Sequence, residues 1–144
     1  MKKIILFALA SLLNLNLTGQ VVEEVQQWVT HEITLKSNAI YGNPYTDVDV
    51  WAVFHNEVGD TLKRPAFWDG ENSWKLRFAP IDSNGVWAWQ THSSNRSDSG
   101  LHNQIGSFKS VSNNRKNRLL KEGLLKMSQG HRNVIHRSGK SFLV

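Results

Sequence analysis

Apolar and polar residues alternate in short runs along most of this chain, with the period of two that a half-buried strand requires. In WVTHEITLK, Val29, His31, Ile33 and Leu35 fall on one side, and Thr30, Glu32, Thr34 and Lys36 on the other. SWKLRFAP is the clearest case, with Trp74, Leu76 and Phe78 opposed to Lys75 and Arg77. Successive side chains of a strand point to opposite faces, so these runs predict strands with one buried side. DVDVWAVFH puts Val48, Val50, Ala52 and Phe54 on one face, but Trp51 and Val53 make the other face apolar too. That pattern predicts a strand covered on both sides. GVWAWQT sets Trp87 and Trp89 together, and IGSFKSV adds a further short strand.

Turn signals separate the runs: YGNPYTD, NEVGD, WDGEN, DSNG and NRSDSG. Gly and Asn tolerate positive φ there, and Pro44 fixes its own φ. Strands separated by turns every 8–12 residues, with no convincing amphipathic helix, predict an all-β antiparallel sandwich.

Tryptophan bears on where the core lies. Four of the six tryptophans fall between Lys63 and Thr91. Trp74, Trp87 and Trp89 are in register with other apolar residues and are expected in the core. Trp68 directly follows Phe67 and leads into a turn. Adjacent strand residues face opposite ways, so one of the two must point away from the core. Trp68 is the ring expected to be exposed.

The first twenty residues break the pattern. MKKIILFALASLLNLNLTGQ has two lysines, then an almost uncharged run rich in Leu, Ile and Ala. This is the layout of a secretory signal peptide, with cleavage expected near Gly19 or Gln20. The run is short for a membrane span, and Asn14 and Asn16 interrupt its end. The mature protein is therefore expected to be secreted or periplasmic and free of the membrane. The chain has no cysteine, so it has neither disulfides nor thiol catalysis.

Charge divides the remainder of the chain in two. The formal net charge is +5. Residues 20–112 hold 7 Lys/Arg against 11 Asp/Glu, whereas residues 113–144 hold 8 basic residues against Glu122 alone. Such asymmetry marks either a nucleic-acid arm or a change of domain.

Candidate chemistry is sparse. Asp69 and Glu71 are a carboxylate pair, the residue type a glycosidase uses, but they share one Asp-Gly turn rather than flanking a cleft. His131 and His136 are separated by an odd number, which on a strand puts them on opposite faces; they read as two surface histidines in a basic hairpin. His31 reads as a hydrogen-bonded core histidine. Neither a phosphate loop nor a serine nucleophile elbow nor metal-spaced carboxylates are seen. No catalytic residue, metal site or cofactor is expected in this chain.

The order of segments carries more. An early W-x-x-x-E (Trp28, Glu32) precedes a G-N-P-Y-x-D-V turn (Gly42 to Val48) and an F-aromatic-D-G turn (Phe67 to Gly70). An aromatic-x-x-R-F strand (Trp74, Arg77, Phe78) and G-x-W (Gly85, Trp87) come next. Residues 21–112 in this order resemble the immunoglobulin-like domain of unknown function at the N-terminus of apiosidase-like candidate glycoside hydrolases. The resemblance implies an immunoglobulin/fibronectin-like antiparallel β-sandwich. It also implies that residues 113–144 are a short basic hairpin connector, with Ser138–Gly139 as its turn, feeding the first strand of a catalytic (β/α)₈ barrel at Phe142–Val144. The barrel itself would lie beyond this chain and would be the domain's partner.

The resulting expectation is a signal peptide over 1–20, a sandwich over 21–112 and a connector over 113–144, together a non-catalytic accessory domain of a secreted carbohydrate-active enzyme. The alternative is a stand-alone carbohydrate-binding module stacking a polysaccharide on Trp68, Tyr41 and Tyr45. A nucleic-acid partner is not expected, because residues 113–141 carry no aromatic ring to interleave with their charges.

Overall fold

In a computed structural model, residues 23–117 and 121–142 are described. The leader expected over residues 1–20 and the ending Leu143–Val144 lie outside them. Seven strands form one sheet: β1 (Glu24–Gln26), β2 (His31–Lys36), β3 (Val50–Asn56), β4 (Thr61–Trp68), β5 (Ser73–Phe78), β6 (Gly85–Ser93) and β7 (Ile105–Val111). Their order across the sheet is β1-β7-β6-β3-β4-β5-β2. A separate two-stranded ladder joins β8 (Leu125–Met127) to β9 (Val134–His136). Every element with described bounds is a strand.

The sheet nearly closes on itself. Its edge strands β1 and β2 are consecutive in the chain, joined by residues 27–30 alone. A link that short forces the two edges of the seven-stranded sheet to meet, which a flat sheet cannot do. The fold is made in β4: Thr61 to Pro65 pair with β3, and Ala66 to Trp68 pair with β5. The chain thus passes from one half of the sheet to the other within a single strand. All these pairings are antiparallel except one. β1 runs parallel to β7, with Val25 opposite Ser110, a three-residue strand that the alternation does not announce.

Period-two patterning sets the core. Leu35 pairs with Trp74, Ile33 with Leu76 and His31 with Phe78, while Thr34–Lys75 and Glu32–Arg77 share the outer face. Phe78 lies at the centre, stacked on Phe54 of β3 at 4.0 Å between ring centroids and touching Trp87 and Phe108. Trp74, Trp87, Leu76, Phe54 and Phe108 are buried, and Trp89 packs partly buried against them. The core tryptophans lie where their register put them. His31 is mostly enclosed, with its ring 4.9 Å from Phe108 and Nδ1 3.4 Å from Glu23.

The outer face of β3 departs from expectation. Trp51 and Val53 are only half-buried, and among the described residues no second layer of strands covers them. Trp51 is instead screened locally, by the Lys63 ammonium 4.3 Å from its centroid and by His92 stacked at 5.7 Å. A lysine stem laid on an indole covers apolar surface while its charge stays in water.

The basic tail also differs from the hairpin foreseen. Its ladder closes around residues 128–133, with Met127 opposite Val134. Ser138–Gly139 forms a second, tighter turn, closed by His136 N–H donating to Lys140 O and by a single bridge between Ile135 and Ser141. His131 is exposed in the first turn, but His136 is buried, 3.3 Å from the Gly123 carbonyl and edge-on to Phe142. The two histidines are therefore not a surface pair, because only His136 belongs to a strand. The tail is held to the sheet at Trp28, whose φ is 64°. A Cβ on Gly123 would lie 2.8 Å from the Trp28 indole, so only glycine allows that approach. Arg137 sits 5.8 Å from the same ring, and Asn113 donates to the Gln27 carbonyl.

Candidate functional site

The three rings singled out in the sequence meet at one end of the sheet. Tyr41 and Tyr45 come from the long β2–β3 loop, and Trp68 ends β4. Trp68 is not the freely exposed ring that its neighbour suggested. Leu62, Ala66 and Trp68 face inward and pack against the core, while Phe67 takes the outer side beneath the Arg77 guanidinium at 4.8 Å. Trp68 lies at the rim of the core, half-buried, because β4 ends there. Its indole N–H donates to the Glu71 carbonyl at 2.9 Å, and Tyr45 meets it edge-on at 5.3 Å.

Two shallow clefts flank Pro44 and Trp68. One, of about 350 Å³, is walled by Tyr41, Trp68 and Trp74, with Glu71 and Asn72 at its rim. The other, of about 230 Å³, is bordered by Tyr45, Asp49 and Pro65. Neither is lined by a Lys, Arg or His side chain. Tyr45 and Ile40 are strongly exposed beside them, at 75% and 101% relative exposure.

The loop carrying the two tyrosines is braced twice. In Gly42–Asp47, the Asp47 carboxylate accepts from the Asn43 N–H at 2.7 Å and the Asn43 side chain accepts from the Tyr45 N–H. These side-chain-to-backbone bonds stiffen a turn without secondary structure. The second brace is Asp98, 2% exposed. Its carboxylate accepts from Ser37 Oγ at 2.6 Å, Tyr41 Oη at 2.8 Å, Asn38 N–H at 3.0 Å and Gly100 N–H at 3.1 Å. Burial pushes its pKa up, but the hydrogen bonds from Ser37, the Asn38 amide, Tyr41 and the Gly100 amide outweigh that and hold it below the ordinary carboxylate value. Burial, then the bond to Asp98, raises the Tyr41 phenol above its usual value, so it stays a neutral donor. Gly100 lets the two loops meet: a Cβ there would fall 1.8 Å from the Lys36 carbonyl oxygen. The sequence marked this stretch only as a turn; nothing in its spacing tied Asp98 to Tyr41, 57 positions earlier.

Several other polar groups pair with one another. Asp69 is paired with Lys75 at 2.8 Å, and Lys75 also reaches Glu32 at 3.0 Å. Asp69 and Glu71 remain in one turn, with Gly70 at φ 103° and Glu71 at φ 49°. Asp82 accepts the Trp87 indole N–H at 2.8 Å and, with Asp60, the Asn56 amide. Among the described residues, no three His, Asp or Glu side chains converge on a metal-sized site.

Comparison with known proteins places this architecture. Residues 24–94 match a family model, the domain of unknown function DUF5060. The match runs from β1 to just past β6 and includes the cleft's Tyr41, Tyr45 and Trp68. The chain is also similar to the crystal structure of a "putative glycoside hydrolase" from Bacteroides vulgatus ATCC 8482, at 25% identity and a TM-score of 0.68. That likeness covers 83% of this chain but 21% of the other; this chain spans about a fifth of the length of its structural relative. Since 83% of 144 residues is about 120, the likeness extends beyond residue 112 into the basic tail. No curated protein matches.

Proposed function

We propose that the described sheet is a non-catalytic accessory domain of a carbohydrate-active enzyme, exported by its leader to the periplasm or the medium. The observation that carries this reading is the similarity to a small part of a much longer chain described as a glycoside hydrolase. In that reading the nearly closed sheet is an immunoglobulin- or fibronectin-like sandwich. Supporting it, β4 hands over between two halves whose inner faces meet through Phe54 and Phe78. The hairpin β8–β9 is the side that meets the catalytic domain: Leu124, Leu125, Met127 and Val134 are exposed on a segment already anchored at Trp28. Exposed apolar clusters on a small element favour contact with a neighbouring domain.

Chemistry supports the absence of catalysis. Retaining and inverting glycosidases need two carboxyl groups about 5–9.5 Å apart across a bound sugar, one of them able to act as an acid. Here Asp69 is ion-paired with Lys75, and Glu71 is exposed on the same turn. Incubating the purified chain with plant and bacterial polysaccharides should release no reducing sugar. Turnover lost in both Asp69→Ala and Glu71→Ala would overturn the reading.

A further inference from the structure

We infer that the paired clefts around Pro44 and Trp68 bind a neutral glycan chain. The inference goes beyond the accessory role and does not depend on it, since an isolated domain could use the same surface. Several observations converge. The larger cleft, at about 350 Å³, falls at the small end of the range for ligand sites. Its walls are aromatic and its rim is polar, the composition expected of a site that takes an amphipathic ligand. A pyranose ring is such a ligand: its C–H faces lie against aromatic surface while its hydroxyls point outward to acceptors and donors. Glu71 and Asn72 line that cleft, the Asn72 Nδ2 also donating to the Ser37 carbonyl at 3.3 Å.

The rings are held before any ligand arrives. Trp68 is tied through its indole N–H to Glu71 O and Tyr41 through its hydroxyl to buried Asp98, while the Asn43–Asp47 turn fixes the Tyr45 backbone and its ring rests edge-on against Trp68. Rigid aromatic rings lose little conformational entropy on binding. Packing alone does not account for Tyr45, which is 75% exposed although its backbone is fixed. The second cleft, about 230 Å³, lies across Pro44 and Trp68 from the first. Two adjoining depressions suit consecutive units of a chain better than one enclosed monosaccharide.

Charge selects among glycans. No Lys, Arg or His lines either cleft, while Glu71 lines one and Asp49 the other. A uronate chain would bring carboxylates toward carboxylates with no cation to pair them, so the site favours uncharged sugars.

The test is calorimetric titration of the full chain with xylohexaose, cellohexaose and hexagalacturonate, repeated on Tyr45→Ala and Tyr45→Phe. Tyr45 is exposed enough that neither variant should unfold, which thermal melts check directly. At least one neutral hexaose is expected to bind, hexagalacturonate more weakly, with Tyr45→Ala weakening binding about tenfold and Tyr45→Phe keeping it. The inference is overturned by failure of both neutral chains to bind, by preference for the uronate, or by equal affinity in Tyr45→Ala and the parent. Its failure would leave the accessory reading standing, since that rests on the separate hydrolysis assay.

Discussion

Removing the carboxylate of Asp98 is the sharpest perturbation the fold offers, because one buried group ties two loops together. In Asp98→Ala, four donors lose their acceptor. The amides of Asn38 and Gly100 sit on surface loops, where water can replace the carboxylate. The hydroxyls of Ser37 and Tyr41 are more enclosed. Counting only those two, at roughly 1.5–2.5 kcal/mol each for bonds to a charged acceptor, gives a loss of about 3–5 kcal/mol. For a domain of this size that is a fall in melting temperature of about 15–30 °C. Asp98→Asn should cost less, about 1–2 kcal/mol, because its amide fills the same space and one oxygen still accepts from both backbone amides. The pH dependence provides a separate signature. A carboxylate whose folded pKa lies below its unfolded value stabilises fully above the unfolded pKa of about 3.9, and that contribution is lost as pH falls through the folded pKa. The parent should therefore lose its advantage over Asp98→Asn as pH drops below about 4, while the lowered pKa of Glu32, common to both, cancels in the difference. Thermal melts followed by circular dichroism between neutral pH and pH 3 measure both effects. An Asp98→Ala variant melting within about 4 °C of the parent would refute the assignment of Asp98 as the brace.

Other outcomes rest on the packing. Trp87→Ala should cost about 3–5 kcal/mol and Trp68→Ala clearly less, since Trp87 is 0% exposed and Trp68 is half-buried at the rim; equal falls in melting temperature would show both to be core. Gly123→Ala places a methyl 2.8 Å from the Trp28 ring at a φ of +81°, so it should release the tail, read as faster limited proteolysis within residues 123–142 and an intact core of about 90 residues. DNA, single-stranded or duplex, should bind the basic tail no more tightly than about 10⁻⁴–10⁻⁶ M at physiological salt, with nanomolar binding promoting the nucleic-acid reading instead.

Much of the sheet was legible in one dimension because burial on a strand keeps a fixed period. The alternation in SWKLRF and HEITLK predicted which side of β5 and β2 would meet the core, and the register bears it out, apolar pairs inward and ion pairs outward. Turn residues in the same way announced the β4–β5 turn at Asp69–Gly70. Where period two met other demands, the reading was incomplete. The outward Trp51 and Val53 predicted a covering layer, but a single lysine stem and a histidine ring suffice to screen a half-buried indole. β1 is too short to show any period and exists only because β7 offers it an edge.

The class of structure, the identity of the central rings and the acidic and basic halves were all present in the order of residues, because each depends on neighbours along the chain. Which distant residues share a space came from the folded arrangement alone. Trp68 is half-buried at the rim of the core, between core and clefts, because β4 changes partners and then ends. Tyr41 is held by a carboxylate 57 positions away, and the tail rests on Trp28 because Gly123 has no side chain. These are consequences of sheet closure, a long-range geometry set by the summed register of seven strands, and local periodicity carries no trace of it.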